Sequence, residues 1–204
     1  GKHTVFGHVV KGLSIVDSIA QNDIINSVEI IKIGRTAKRF DAKKAFSDYF
    51  KKAEEEQVSI AKKAKAVVAS TAASFDENLK NAEELPSGLK MSMLRKGIGE
   101  FPKNGMTVEV HYAGYFSDGR LFDTSYKKIA KAYGTFDKAR DEQDGYAPFT
   151  TVYGPDARLI AGFKEGLQKM RIGDKAMLYI PSHLGYGTQG AGNVIPPDSD
   201  LVFV

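Results

Sequence analysis

Tyr112, Phe122 and Asp123 are the residues whose types and spacing stand out first. They lie in the stretch VEVHYAGYFSDGRLFDTS, residues 108–125. Val108, Val110 and Tyr112 alternate with Glu109 and His111, the period of a strand with one buried face. Ser117-Asp118-Gly119-Arg120 supplies a turn in which Gly119 is free to take positive φ. Leu121 and Phe122 restart the strand, and Asp123 follows at once. The whole stretch is therefore expected as a β-hairpin that gathers two rings and one carboxylate on a single local element. Neither nearby histidine extends the set. His111 faces away from Tyr112, and His183 has no partner at metal-ligand spacing, so no metal and no cofactor are assigned.

Bulk properties narrow the choices. The chain has 204 residues, enough for one or two domains, and 42% of them are hydrophobic. No apolar run is long enough to span a bilayer, so no membrane partner is expected. Cysteine is absent, which removes thiol chemistry and fits a reducing, cytoplasmic setting. The net charge is +4, but Lys and Glu are interspersed and no aromatic-lined basic patch stands out. Nucleic acid is therefore not expected as a partner. The chain opens on Gly1 rather than Met, so the missing signal peptide says nothing about targeting.

Three segments must position the candidate residues. In residues 1–35, Thr4 to Val10 and Ser27 to Ile33 are strand candidates, and Leu13 to Ala20 carries a helical stripe at Ile15, Val16, Ile19 and Ala20. So small a strand-helix-strand unit cannot form a core of its own. Residues 36–86 are expected as a long helical linker. No Gly or Pro occurs from about Phe40 to Ala82, Asp41 is a candidate N-cap, and Pro86-Ser87-Gly88 stops the helix. Its stripe of Phe46, Phe50, Ala53, Ile60, Ala64, Val67, Phe75 and Leu79 requires burial. The choices are the preceding segment, a folded-back hairpin or a second copy. A semi-rigid spacer is the expectation, with a homodimer through the linker helix as the alternative.

Residues 87–204 carry strand patterns at 89–94, 149–152, 175–180 and 201–204. Ala157 to Leu167 reads as one short helix that presents Ile160, Phe163 and Leu167 on one side. The Gly-rich loop 185–193 lacks the Lys-Ser/Thr of a phosphate loop and leads into Ile195-Pro196-Pro197, so it is not read as one. Between Asp123 and Pro148 lies a long stretch, 124–147. Ile129 to Tyr133 could form a helical turn there, and KARDEQDGYA (138–147) is polar and expected to be exposed.

The phrase HYAGYFSDGRLFDTS resembles the HYTG...DG..FDSS signature of the FK506-binding (FKBP) family of peptidyl-prolyl cis-trans isomerases. PF at 148–149, RLIAGFKEGLQKMRIGDKAMLYIP at 158–181 and GYGTQGAGNVIPPDSDLVF at 185–203 follow in the family's order. The resemblance implies an α+β fold, an antiparallel twisted sheet wrapped on one short helix, with 124–147 as an insertion longer than the family's usual loop. It implies prolyl isomerisation of proline-containing polypeptides and binding of macrolide inhibitors. It also implies a pocket walled by Tyr112, Phe122, Phe149, Phe163 and Phe203, with Leu159 and Ile160 on the rim. The Ile160 N–H and the Tyr186 hydroxyl would hold carbonyl oxygens, Ile195 would close the far side, and Asp123 would accept a hydrogen bond inside. Phe163 stands where well-known members have tryptophan, Thr151 replaces a phenylalanine and Ala191 a histidine. These departures put substrate preference and rate in question.

GKHTVFGHVVKGLSIVDSIA and SVEIIKIG, within residues 1–34, look like the C-terminal end of a cyclophilin, with His3 matching a groove histidine and Phe6 a core position. The essential arginine of that family is absent from the chain. The combined expectation is an FKBP-type isomerase and folding helper joined by a long helix to a cyclophilin-barrel remnant, a fragment of a dual-family protein. The rivals are a partner-binding module of the same fold, or a dimeric chaperone acting through the helix and the insertion, with weak or no isomerase activity.

Overall fold

A computed structural model describes residue 5 and residues 7–204, so His3 and Phe6 lie outside the described residues. The elements in chain order are α1 (Leu13–Val16), α2 (Arg35–Arg39), α3 (Ala42–Leu79), β1 (Glu83–Glu84), β2 (Lys90–Arg95), β3 (Thr107–Val110), β4 (Ala113–Phe116), β5 (Leu121–Thr124), α4 (Lys127–Ala132), α5 (Lys138–Glu142), β6 (Phe149–Val152), α6 (Ala161–Gln168), β7 (Lys175–Ile180) and β8 (Leu201–Phe203). They fall into two compact units, residues 1–48 and 49–204. The boundary lies inside α3, so most of the segment read as a linker lies in the larger unit.

The smaller unit differs from expectation. Ser27 to Ile33 forms no strand, and the helix expected over 13–20 is the single turn of α1. The candidate strand 4–10 falls partly outside the described residues, and the described part is not a strand. The physical reason is the lack of a partner: an isolated strand has no ladder to satisfy its N–H and C=O groups. Ile30, Ile31 and Ile33 accordingly remain exposed.

In the larger unit the alternating segments find their ladders. Six strands form one antiparallel sheet in the order β1-β2-β7-β8-β4-β5, and β3 and β6 form a separate two-stranded ribbon. The expected hairpin is therefore redistributed. Its second half is β4–β5, closed by residues 117–120 with Gly119 at φ +83°. Its first half, 107–110, pairs instead with β6, Val108 opposite Thr151. The chain leaves strand geometry at His111 and Tyr112, which lets Tyr112 turn from the ribbon towards the sheet.

α6 lies on one face of the sheet. Gly162 and Gly166 permit the close approach, since a Cβ on either would come within 2.6 Å of Ile180 or Leu178. The helix starts at Ala161 rather than Ala157 because turn hydrogen bonds, Ala157 N–H to Gly154 O and Leu159 N–H to Ala157 O, hold the preceding residues outside it. Leu89, Phe163, Leu178, Ile180, Leu201 and Phe203 make the core between helix and sheet.

The opposite face is covered by the C-terminal half of α3. Asp41 caps this helix, accepting from the Lys44 N–H at 2.9 Å. Phe75, 4% exposed, packs with Tyr115, Met177 and Val202. The Tyr179 hydroxyl donates to the Phe75 carbonyl at 2.6 Å. Burial thus covers Phe75 and partly Ala64 and Val67, while Leu79 in the same stripe stays exposed. No helix among the described residues is long and apolar enough to cross a membrane.

In the stretch 124–147 the helical turn expected at Ile129 to Tyr133 falls on α4 and its C-cap, while the polar part expected to be exposed carries α5. With these two helices present, α6 is not the lone helix beside the sheet. Tyr133, at the end of α4, donates to Thr71 Oγ1 at 2.6 Å, and a Lys127–Asp141 ion pair at 2.6 Å ties α4 to α5.

Candidate active site

Local hydrogen bonds fix the site from below. Buried Thr124 and Ser125 hold the Tyr112 backbone: Thr124 Oγ1 and Ser125 N–H donate to its carbonyl at 3.0 and 2.9 Å, and its N–H donates to Ser125 Oγ at 2.8 Å. Ser125 Oγ also lies 2.9 Å from His111 Nδ1, and the His111 ring stacks on Tyr126 at 4.6 Å. His111 therefore serves the frame of the site and is not part of its wall.

The rings meet edge to face, the arrangement favoured by aromatic quadrupoles. Centroid separations are 5.0 Å for Phe163–Phe203, 5.6 Å for Phe122–Phe203 and 5.6 Å for Tyr112–Phe149. Gly114, between Phe122 and Phe203, makes room, because a Cβ there would sit 2.4 Å from the Phe122 ring.

Around these rings is a cavity of about 380 Å³. It is lined by Tyr112, Phe122, Asp123, Phe149, Leu159, Ile160, Phe163, Tyr186 and Phe203, together with Arg158. Nine of the ten sequence-predicted residues thus share one cavity. Ile195 does not line it. It is 4% exposed and sits in the core, its backbone paired with Ala191 across the tight loop that carries it. Its expected place on the far side of the pocket is corrected accordingly.

Two hydrogen-bonding groups of the cavity are uncommitted among the described residues. Tyr186 makes no side-chain hydrogen bond, and no backbone bond uses the Ile160 N–H. Asp123 is fully engaged. The Tyr112 hydroxyl donates to its Oδ2, and Arg140 Nη1 donates to its Oδ1 at 2.7 Å. Burial pushes the Asp123 carboxyl up, but the Tyr112 and Arg140 hydrogen bonds together outweigh it and hold the group below the usual carboxylate range. Burial, reinforced by the Asp123 charge, pushes the Tyr112 phenol well above its ordinary value, so it stays a neutral donor.

Sequence reasoning missed both arginines. Arg140 lies in the stretch expected to be exposed, yet it is half-buried, donating also to Gly145 O and Thr124 O and stacked 4.7 Å from the Tyr146 ring. Two signals pointed to it. A carboxylate placed among rings requires a cation or several donors, and Asp137 ahead of KARDE is an N-cap pattern. Asp137 does cap α5, accepting from Ala139 and Arg140 N–H. Arg158 precedes the rim residues Leu159 and Ile160 and carried no signal of its own.

A family model described as FKBP-type peptidyl-prolyl cis-trans isomerase matches residues 99–204. FK506-binding protein 1 of Dictyostelium discoideum is 34% identical over 57% of this chain and 92% of its own length. FK506-binding protein 2 of Yarrowia lipolytica is 41% identical over 59% of this chain and 74% of its own. A peptidyl-prolyl cis-trans isomerase of Schizosaccharomyces pombe is 34% identical over 57% and 88%.

Proposed function

The chain belongs to the FKBP-type peptidyl-prolyl cis-trans isomerase family, and from that membership we propose that the cavity between β5 and α6 is where an X-Pro bond of a polypeptide rotates. Rotation about an amide costs ~18–20 kcal/mol because resonance is lost at the twisted geometry. X-Pro bonds populate both isomers and interchange over tens of seconds unaided. No bond to a heavy atom forms or breaks, so the catalyst has only to bind the twisted amide better than the planar forms. The twisted amide is less polar than the planar one, and a wall of five rings favours it. The Tyr186 hydroxyl and the Ile160 N–H serve as fixed donors for carbonyl oxygens.

The observation that carries this reading is that the one carboxylate in the aromatic cavity is already committed to Tyr112 and Arg140. It orients the wall and is not spare to act as a base. The test is cis-trans exchange of a short X-Pro peptide followed by NMR, with and without an FK506-type macrolide, the ligand class in the relatives' names. Macrolide-sensitive acceleration lost in Tyr112→Ala and Asp123→Val, both still folded, supports it. No acceleration by the folded chain would reduce it to a partner-binding module.

Residues 1–34 are read as the C-terminal end of a cyclophilin domain in a dual-family folding helper. The quoted likeness supports this, as do the exposed β-branched residues at 28–33, which suit a sheet. Pairing of two copies along α3 would use its N-terminal half, since Thr71 and Phe75 are engaged.

A further inference from the structure

A second cavity, of about 410 Å³, adjoins the first and shares Phe149, Arg158 and Leu159 with it. The rest of its lining comes from Thr107, Thr150, Thr151, Val152 and Asp156. β6, whose four residues are among the lining, is paired with β3 along one edge, and its other edge is unpaired among the described residues. A free strand edge suits an extended chain. The small Thr151 side chain leaves this space open.

The charges around the two cavities are unequal. In the first cavity Asp123 is matched by Arg140, which leaves Arg158 as the uncompensated charge. Arg158 is exposed and makes no ion pair or side-chain hydrogen bond among the described residues. Asp156 lines only the second cavity. Lys164, whose ammonium donates to the neighbouring Pro155 carbonyl at 2.9 Å, adds further positive charge beside it.

We infer that the two cavities form one substrate groove in which Arg158 selects polypeptides carrying an acidic side chain within two residues of the isomerised proline. Arg158 is a specificity-determining residue here. It meets the flank of the substrate where the proline cavity opens into the second one, and it is in no ion pair among the described residues, although Asp156 lines the same cavity. The inference rests on the isomerase reading.

The test uses the full chain and X-Pro peptides that differ only in carrying Glu, Gln or Lys at each of two positions on either side of the proline. For at least one position kcat/KM is expected to fall in the order Glu, Gln, Lys, spanning about two- to fivefold, as for other exposed charge pairs. The span is expected to shrink at about 0.5 M salt, where the screening length is a few ångströms. Arg158→Glu is expected to reverse the order, Arg158→Gln to flatten it and Asp156→Asn to widen it. Equal rates for the three peptides at every position, or an order unchanged in Arg158→Glu, would overturn the inference while leaving the isomerase reading intact. No acceleration of even the Gln peptides would overturn the isomerase reading and the inference with it.

Discussion

Arg140 Nη1 lies 2.7 Å from Asp123 Oδ1, although the two residues are 17 apart in sequence and Arg140 belongs to the short helix α5. Helix α5 thus reaches the wall of the aromatic cavity through the carboxylate that also receives the Tyr112 hydroxyl. Removing the guanidinium leaves Asp123 half-buried with one strong donor and frees the Tyr112 ring to tilt. Arg140→Ala is expected to lower kcat/KM by about five- to thirtyfold, the ~1–2 kcal/mol typical of losing a charge-assisted hydrogen bond at a partly exposed site. Arg140→Lys, which keeps the charge but not the fork, should recover only part of it. Full activity in both variants would show that Asp123 needs no partner beyond Tyr112.

The pH dependence follows from the direction of the Asp123 shift. Its folded-state pKa lies below the unfolded value. The contribution to stability is therefore fully present above the unfolded pKa of about 4 and is lost as pH falls through the lower folded one. Tyr112 is shifted the other way, upwards. Activity should then be flat from about pH 5 to 9, with an acid limb below the usual carboxylate range. Asp118 and Asp174 are held low as well, so Asp123→Asn should shrink the acid loss of stability without abolishing it. Urea midpoints measured between about pH 3 and 7 check this, and an unchanged acid profile in Asp123→Asn would contradict it.

On the far side of the sheet Phe75 anchors α3, its ring 5.3 Å from Tyr115 and 6.4 Å from Tyr179. Burial pushes the Tyr179 phenol up to about 12, as expected of a neutral donor to the Phe75 carbonyl. Phe75→Ala should cost about 3–4 kcal/mol, read as a lower urea midpoint. Isomerase activity per folded molecule should be retained, because Phe75 lies outside the cavity. A change of less than about 1 kcal/mol would mean that the helix is not seated through this ring.

These three sites differ in how legible they were in the sequence. The aromatic wall was legible through the family resemblance, whose short ordered motifs fix the offsets of its residues. Partner choice was not readable. The period of 107–110 marks a strand but does not say whether β5 or β6 lies beside it. The stripe on α3 demanded burial without naming the surface, and Phe75 met it through Tyr115 and Tyr179. Arg140 was hidden for a third reason. Its role depends on where α5 folds back, a long-range fact that local polarity obscures. Ile195 erred the other way, as its motif position suggested a pocket wall while its apolar side chain gained more from the core.

Gly119 joins the hairpin to the helix. It turns β4 into β5 at φ +83°, and a Cβ there would sit 2.5 Å from the Val68 carbonyl oxygen and 2.8 Å from the Ala72 nitrogen. Alanine at this position would meet both the left-handed backbone penalty, about 1–2 kcal/mol, and a clash with helix backbone that cannot rotate away. Gly105 offers the matching control, with φ +87° and nothing within 4 Å of a built Cβ. Gly105→Ala should show the backbone penalty alone. Gly119→Ala should lose clearly more, by about 1 kcal/mol or above, the usual cost of overpacking. It should also speed amide hydrogen exchange around Val68 and Thr71 as the helix lifts from the turn. Equal losses for the two variants, with exchange in α3 unchanged, would show that the hairpin does not bear on the helix.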